Sequence, residues 1–129
     1  MNPLQKACDY LITRAYKAYD KAKCGHCAAM VRSAVDFGFD KHIERTEAAK
    51  NYGKSYEKIG FKKIFSYPAN KKEDYKPING DICIIQYDPY GHICMKTEKG
   101  WISDFYQKDM YGGKIRDKNP NFDIYRFFS

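Results

Sequence analysis

The first nineteen residues lack any continuous apolar stretch. Lys6, Asp9, Arg14 and Lys17 interrupt Met1 to Tyr19, so neither a secretory signal nor a membrane span is expected there. A chain of this kind acting outside the cytosol needs a route other than general secretion. Arginine is also sparse: only three arginines precede Arg116, and no cluster of them exists to line a nucleic-acid groove. The net charge of +7, from 23 Lys+Arg against 16 Asp+Glu, is instead spread over lysines in nearly every segment. It describes a solvated basic surface suited to anionic partners such as acidic glycopolymers or an acidic protein, and no nucleic acid is expected.

The five cysteines are an odd number, and a chain of 129 residues buries enough core to fold without staples, so no disulfide framework is expected. At least one thiol is left to do chemistry. A second Cys-x-x-Cys pair at ligand spacing is missing, which argues against a zinc centre, and no cofactor is implied. Internal repeats and low-complexity tracts are absent as well. Residues 1–129 therefore read as a single catalytic domain.

Apolar residues Leu4, Ala7, Cys8, Leu11, Ile12, Ala15 and Tyr19 recur at three and four residues, predicting an amphipathic helix entered after Pro3. A polar stretch, Asp20 to Lys23, leads to Cys24-Gly25 and to a second helical stripe from Cys27 through Phe37 that is expected to stop at Gly38. A short third helix is predicted over 46–58, interrupted at Gly53, and a strand over 63–67. The lysine-rich loop 70–76 ends at the turn Pro77-Ile78-Asn79-Gly80-Asp81. Strands then follow at 82–87, 92–97 and 101–106 as an antiparallel meander, with a closing aromatic strand at 122–128. Helices followed by strands give an α+β fold.

The chemistry concentrates at Cys27, which opens the second helix within Lys23-Cys24-Gly25-His26-Cys27-Ala28-Ala29. A thiol there meets unpaired backbone N–H groups and the positive end of the helix dipole, both of which favour thiolate. The same N–H groups can receive the oxyanion of a tetrahedral intermediate. His92, first residue of the second strand of the meander and preceded by Gly91, is the candidate base. Strand alternation puts it out of phase with Ile93 and Met95, so it must reach a cleft from the end of its strand. Asp104 on the following strand is the candidate orienter of the imidazole. Cys8, Cys83 and Cys94 fall within apolar patterns and read as buried thiols, and His26 and His42 as surface groups.

Cys24-Gly25-His26-Cys27 also spells a disulfide-exchange tetrapeptide. A thioredoxin-like fold needs an apolar strand running into that motif, and Tyr19-Asp20-Lys21-Ala22-Lys23 is polar. A thiol–disulfide oxidoreductase using Cys24 and Cys27 and a non-catalytic basic binding domain stand as the alternatives to a cysteine hydrolase.

Cys27-Ala28 opening a helix, Gly60-Phe61, Pro77-x-x-Gly80-Asp81-Ile82, Gly91-His92-Ile93 and Trp101-Ile102-Ser103-Asp104-Phe105 occur in an order that resembles the papain-like NlpC/CHAP superfamily. Within it they look most like the type VI secretion peptidoglycan amidase effectors, over about residues 20 to 107. The resemblance implies a helical part packed on a small antiparallel sheet, Cys27 as nucleophile, His92 as general base and Asp104 as the third polar residue. It further implies peptidoglycan stem peptides as substrate, export by a specialised machine to a target cell's periplasm or wall, and a cognate immunity protein. Cys24 departs from that pattern and leaves open a redox control through a Cys24–Cys27 bridge.

Overall fold

A computed structural model describes residues 2–129. Helix α1 (Pro3–Arg14) starts where the Asn2 side chain accepts from the Gln5 N–H at 2.9 Å and proline occupies the first turn. It stops well before Tyr19. Tyr16 is claimed by another element: its N–H donates to the Asp104 carbonyl at 2.9 Å, and its carbonyl accepts from the Tyr106 N–H at 2.8 Å. That bridge pulls Ala15 into extended backbone and ends the helix.

Helix α2 (Cys27–Phe39) begins at Cys27, as its apolar stripe predicts, but runs through Gly38 and stops at Asp40, which is left-handed at φ 51°. Gly38 serves packing. A Cβ there would lie 2.4 Å from the Pro3 carbonyl oxygen and 2.8 Å from the Ala7 nitrogen, so its absence lets α1 and α2 touch backbone to backbone. The predicted third helix is split into a tight turn at Ala49–Asn51 and a short helix α3 (Gly53–Glu57).

Five antiparallel strands form one sheet in the order β1-β5-β2-β3-β4: β1 (Phe61–Tyr67), β2 (Ile82–Gln86), β3 (His92–Thr97), β4 (Gly100–Ile102) and β5 (Asn121–Phe127). The closing aromatic strand is thus interior to the sheet, between β1 and β2. β4 is half the predicted length, so Asp104 lies past its end. One face of the sheet, with Ile82, Ile84, Ile93, Met95 and Ile102, packs on α1 and α2 through Ala7, Leu11, Val31 and Val35. The other, with Cys83, Ile85, Cys94, Phe122 and Ile124, is covered by Trp101, Met110, Tyr111 and Ile115. Strand β2 is buried on both faces, which is why it reads as a continuous apolar run.

Asp81, fully buried at the start of β2, receives Nε and Nη2 of Arg126 at 2.8 Å each and the Tyr75 hydroxyl at 2.7 Å. These bonds fix the Pro77–Asp81 turn to β5 at one end of the sheet. The opposite end, where Ile85 pairs with His92, carries the site.

Candidate active site

Cys27 is presented by a short pinned segment. After the turn at Asp20–Lys23, one oxygen of Asp104, Oδ2, accepts the N–H groups of Gly25 at 2.9 Å and His26 at 2.8 Å. A buried carboxylate on the sheet side thereby ties down the residues that lead into α2. Helix α2 has no side-chain cap, so its first N–H groups are not taken up by one.

His92 reaches the same cleft from the end of β3. The preceding Gly91 stands at φ +72°, and a Cβ on it would meet the Ile85 carbonyl oxygen at 2.5 Å and Lys50 Cβ at 2.6 Å. The β2–β3 hairpin is locked to the Ala49–Asn51 turn by Lys50 N–H to Tyr90 O at 3.0 Å, Gln86 Nε2 to Lys50 O at 3.0 Å and the Lys50–Asp88 ion pair at 2.9 Å. With a side chain at 91, the backbone carrying His92 could not sit there.

The sequence pattern expects Asp104 to hold the imidazole. The structure gives that hydrogen bond to Gln107: His92 Nε2 and Gln107 Oε1 are 2.7 Å apart. Gln107 Nε2 in turn donates to the carbonyls of Asp109 at 2.9 Å and Met110 at 3.3 Å. Those two acceptors fix the amide orientation, so Oε1 faces the ring and Nε2 of His92 must carry the hydrogen. Nδ1 is left as the unprotonated, basic nitrogen. The loop that supplies Gln107 is held by Asp109, whose carboxylate accepts from the Tyr111 and Gly112 N–H groups and pairs with Arg116. Gln107 left no mark in the sequence beyond being the first polar residue after the aromatic pair Phe105-Tyr106.

Burial decides the protonation states. The Cys27 thiol is pushed up to about 11, chiefly by desolvation; the Ile93 and Ala28 N–H groups pull it down, and the charge of Asp104 pushes it up. The free thiolate expected from the helix N-terminus is therefore not the resting form. The His92 imidazole is held below its ordinary value of 6.5, again by burial, against the opposing pull of Gln107 and Asp104. At neutral pH the site rests as neutral thiol and neutral imidazole, an arrangement that requires the base to act during attack.

Cys27, His92 and Asp104 line one cavity of about 530 Å³. A second, of about 870 Å³, lies beyond His92 and is walled by Gln107, Lys108, Tyr111 and Lys114. His92, Tyr19, Tyr87 and Phe105 border both. Cys24 borders neither; its Sγ accepts from the Asp20 N–H at 3.4 Å, and it is unbridged, as are the other four cysteines. Cys8, Cys83 and Cys94 are buried, with Cys83 and Cys94 directly opposed on β2 and β3. His26 and His42 are exposed. Among the described residues no group of three or more His, Cys, Asp or Glu is placed to hold a metal ion, and no helix is long and apolar enough to cross a membrane.

No known family model matches the chain, and no curated protein does. Solved structures do. The chain is similar to one in the type VI native effector–immunity complex Tae3–Tai3 from Ralstonia pickettii, with 28% identity and a TM-score of 0.81 over 99% of this chain and 100% of that one. It is similar also to one in the selenomethionine form of that complex, with 30% identity and a TM-score of 0.77 over 93% of this chain and 98% of that one. The helices packed on a five-stranded antiparallel sheet are the fold of Tae3.

Proposed function

The chain belongs to the family of the type VI effector Tae3, and from that premise we propose that it is a papain-like cysteine amidase, of the NlpC/CHAP kind, that cuts an amide bond in peptidoglycan stem peptides. Residues 1–129 act as one catalytic domain. The observation that carries this reading is the Gln107 clamp, which leaves Nδ1 as the basic nitrogen of a half-buried His92 that lines the same cavity as Cys27.

In the first half-reaction the Cys27 proton passes to His92 Nδ1 as Sγ bonds to the amide carbonyl carbon. The oxyanion that forms is received by backbone N–H groups at the start of α2. His92 then returns its proton to the nitrogen of the departing amine, the C–N bond breaks, and a thioester remains on Cys27. In the second half-reaction water gives a proton to His92 and its oxygen to the carbonyl carbon; the carboxylic acid leaves and Sγ recovers the proton. Asp104 works as a positioning residue through Gly25 and His26, and its charge favours the imidazolium that forms in each half.

The +7 charge suits an anionic cell wall. Membership of an effector family supports delivery by a type VI machine into a target cell, with a cognate immunity protein in the producer. Mass spectrometry of purified sacculi after digestion reports activity and the bond cut together. Release of stem-peptide fragments is expected from the wild type and from Cys24→Ala, and none from Cys27→Ala. Equal loss from both cysteine variants, with insulin-reductase activity in the wild type, would reverse the assignment in favour of disulfide exchange.

A further inference from the structure

Arg32 lies on α2, one turn past Ala28 and Ala29, and all three border the cavity that holds Cys27. Its side chain is only 16% exposed, and Nε is buried with no hydrogen-bond partner. A guanidinium offers five N–H donors in a rigid fork. The one anion that pairs with it, Asp36, comes no nearer than 3.9 Å, between Oδ2 and Nη1. Asp36 is also shared: the same oxygen stands 3.9 Å from His42 Nδ1, and Oδ1 accepts the Ile43 N–H at 2.7 Å. A largely desolvated cation with so little compensation is costly unless a ligand completes it. Arg45, exposed and without an ion-pair partner among the described residues, adds a second cation to the same cavity. Glu47 borders it too, but is exposed, and the Asp104 carboxylate is already taken by two N–H groups.

The two cavities meet at His92. During acyl transfer the acyl group stays on Sγ, while the amine leaves with a proton from the imidazole. Cys27 borders only the smaller cavity and His92 borders both. The acyl half therefore belongs beside Arg32 and the amine half beyond His92.

We infer that Arg32, assisted by Arg45, binds a free carboxylate on the acyl half of the substrate and so selects stem peptides that carry an anionic group on that side of the bond cut. The assignment rests on the amidase reading for what the acyl half is. Arginine suits the task because its fork meets a carboxylate through two parallel N–H donors, which lysine cannot do.

Calorimetric binding to Cys27→Ala protein tests this without turnover. The probes are soluble muropeptides with their stem carboxylates free and the same muropeptides with the acyl-side carboxylate converted to carboxamide. The carboxylate form is expected to bind about ten- to a hundredfold tighter, the span of a charge-assisted hydrogen bond. Arg32→Gln should erase that preference, Arg32→Lys should restore only part of it, and Arg45→Gln should give a smaller loss that salt removes. Arg32→Gln should still bind both probes, now with equal affinity, so a general loss of folding, which would abolish both, cannot imitate the result. Equal binding of both probes, no binding of either, or a preference that survives Arg32→Gln would overturn the inference. Hydrolysis by the wild type is read separately: Arg32-dependent discrimination without hydrolysis keeps the anchor and removes the amidase, and hydrolysis without discrimination does the reverse.

Discussion

His92 gives its Nε2 hydrogen to Gln107 Oε1 at 2.7 Å, while Asp104 spends one carboxylate oxygen on the N–H groups of Gly25 and His26. The two jobs often given to one acidic residue, orienting the imidazole and supplying negative charge, are thus divided between two residues here. Gln107→Ala should leave the ring free to turn and cost the part-buried hydrogen bond, roughly 1–3 kcal/mol, or about ten- to a hundredfold in kcat. Tm should fall by several degrees as well, because the same bond is lost from the folded resting state. Steady-state release of stem-peptide fragments alongside a thermal melt checks both, and an unchanged kcat would remove Gln107 from the site.

The direction of the two pKa shifts sets a pH profile. His92 must be neutral to accept the thiol proton, and burial holds its pKa below 6.5, so kcat/KM should stay level down to below pH 6.5 and fall as the ring protonates. The thiol, pushed up to about 11, is not ionised at neutral pH. Iodoacetamide alkylation of Cys27 should therefore keep accelerating with pH towards about 11 and show no plateau near neutrality. Gln107→Glu places a carboxylate against Nε2, which raises the His92 pKa, so the acid limb of kcat/KM should move to higher pH. A limb that stays put in that variant would mean that another group governs it.

The site was legible in the sequence where local pattern and structure agree. Cys27 opens its helix because the apolar stripe starts there, and β2 and β3 follow from short apolar runs bounded by turns. Three things were hidden, each because a distant residue decides it. The end of α1 depends on Tyr16 pairing with Asp104 and Tyr106, some ninety positions away. Gly38 reads locally as a helix stop but is spent on contact with Pro3 and Ala7. The His92–Gln107 bond joins a strand start to an irregular loop, and such a pair has no periodicity to reveal it. The protonation states were hidden for a related reason. A helix N-terminus is visible in the sequence, but the desolvation that outweighs it at Cys27 comes from the packed surroundings.

Asp104 can be separated into its bonds and its charge. A single oxygen, Oδ2, makes both backbone contacts, and the Oδ1 of an asparagine can accept the same pair. Asp104→Asn should therefore melt near the wild type, whereas Asp104→Ala, leaving two N–H groups without their acceptor, should cost about 1–3 kcal/mol and lower Tm by several degrees. Removal of the charge acts on both reacting groups. The Asp104 charge raises the pKa of both His92 and Cys27, so in Asp104→Asn the acid limb of kcat/KM and the alkylation profile of Cys27 should both move to lower pH. If Asp104→Asn melted as low as Asp104→Ala, the anchoring role would have to be charge-dependent.

Gly91 offers the sharpest test of whether the hairpin places His92. Alanine there meets two obstacles: φ of +72°, which costs about 1–2 kcal/mol for a residue with a Cβ, and a Cβ 2.5 Å from Ile85 O and 2.6 Å from Lys50 Cβ. Neither neighbour can step aside easily, because Ile85 is in the sheet and Lys50 is tied to Tyr90, Gln86 and Asp88. The hairpin must move, and His92 with it. Gly100→Ala is the matched control, since φ there is +104° but a Cβ would have nothing within 4 Å. Both variants should melt lower, while only Gly91→Ala should lose about a hundredfold or more in kcat, as displacement of a reacting group by about an ångström does. Full activity in Gly91→Ala at a temperature where it is folded would mean that the hairpin does not set the position of the imidazole.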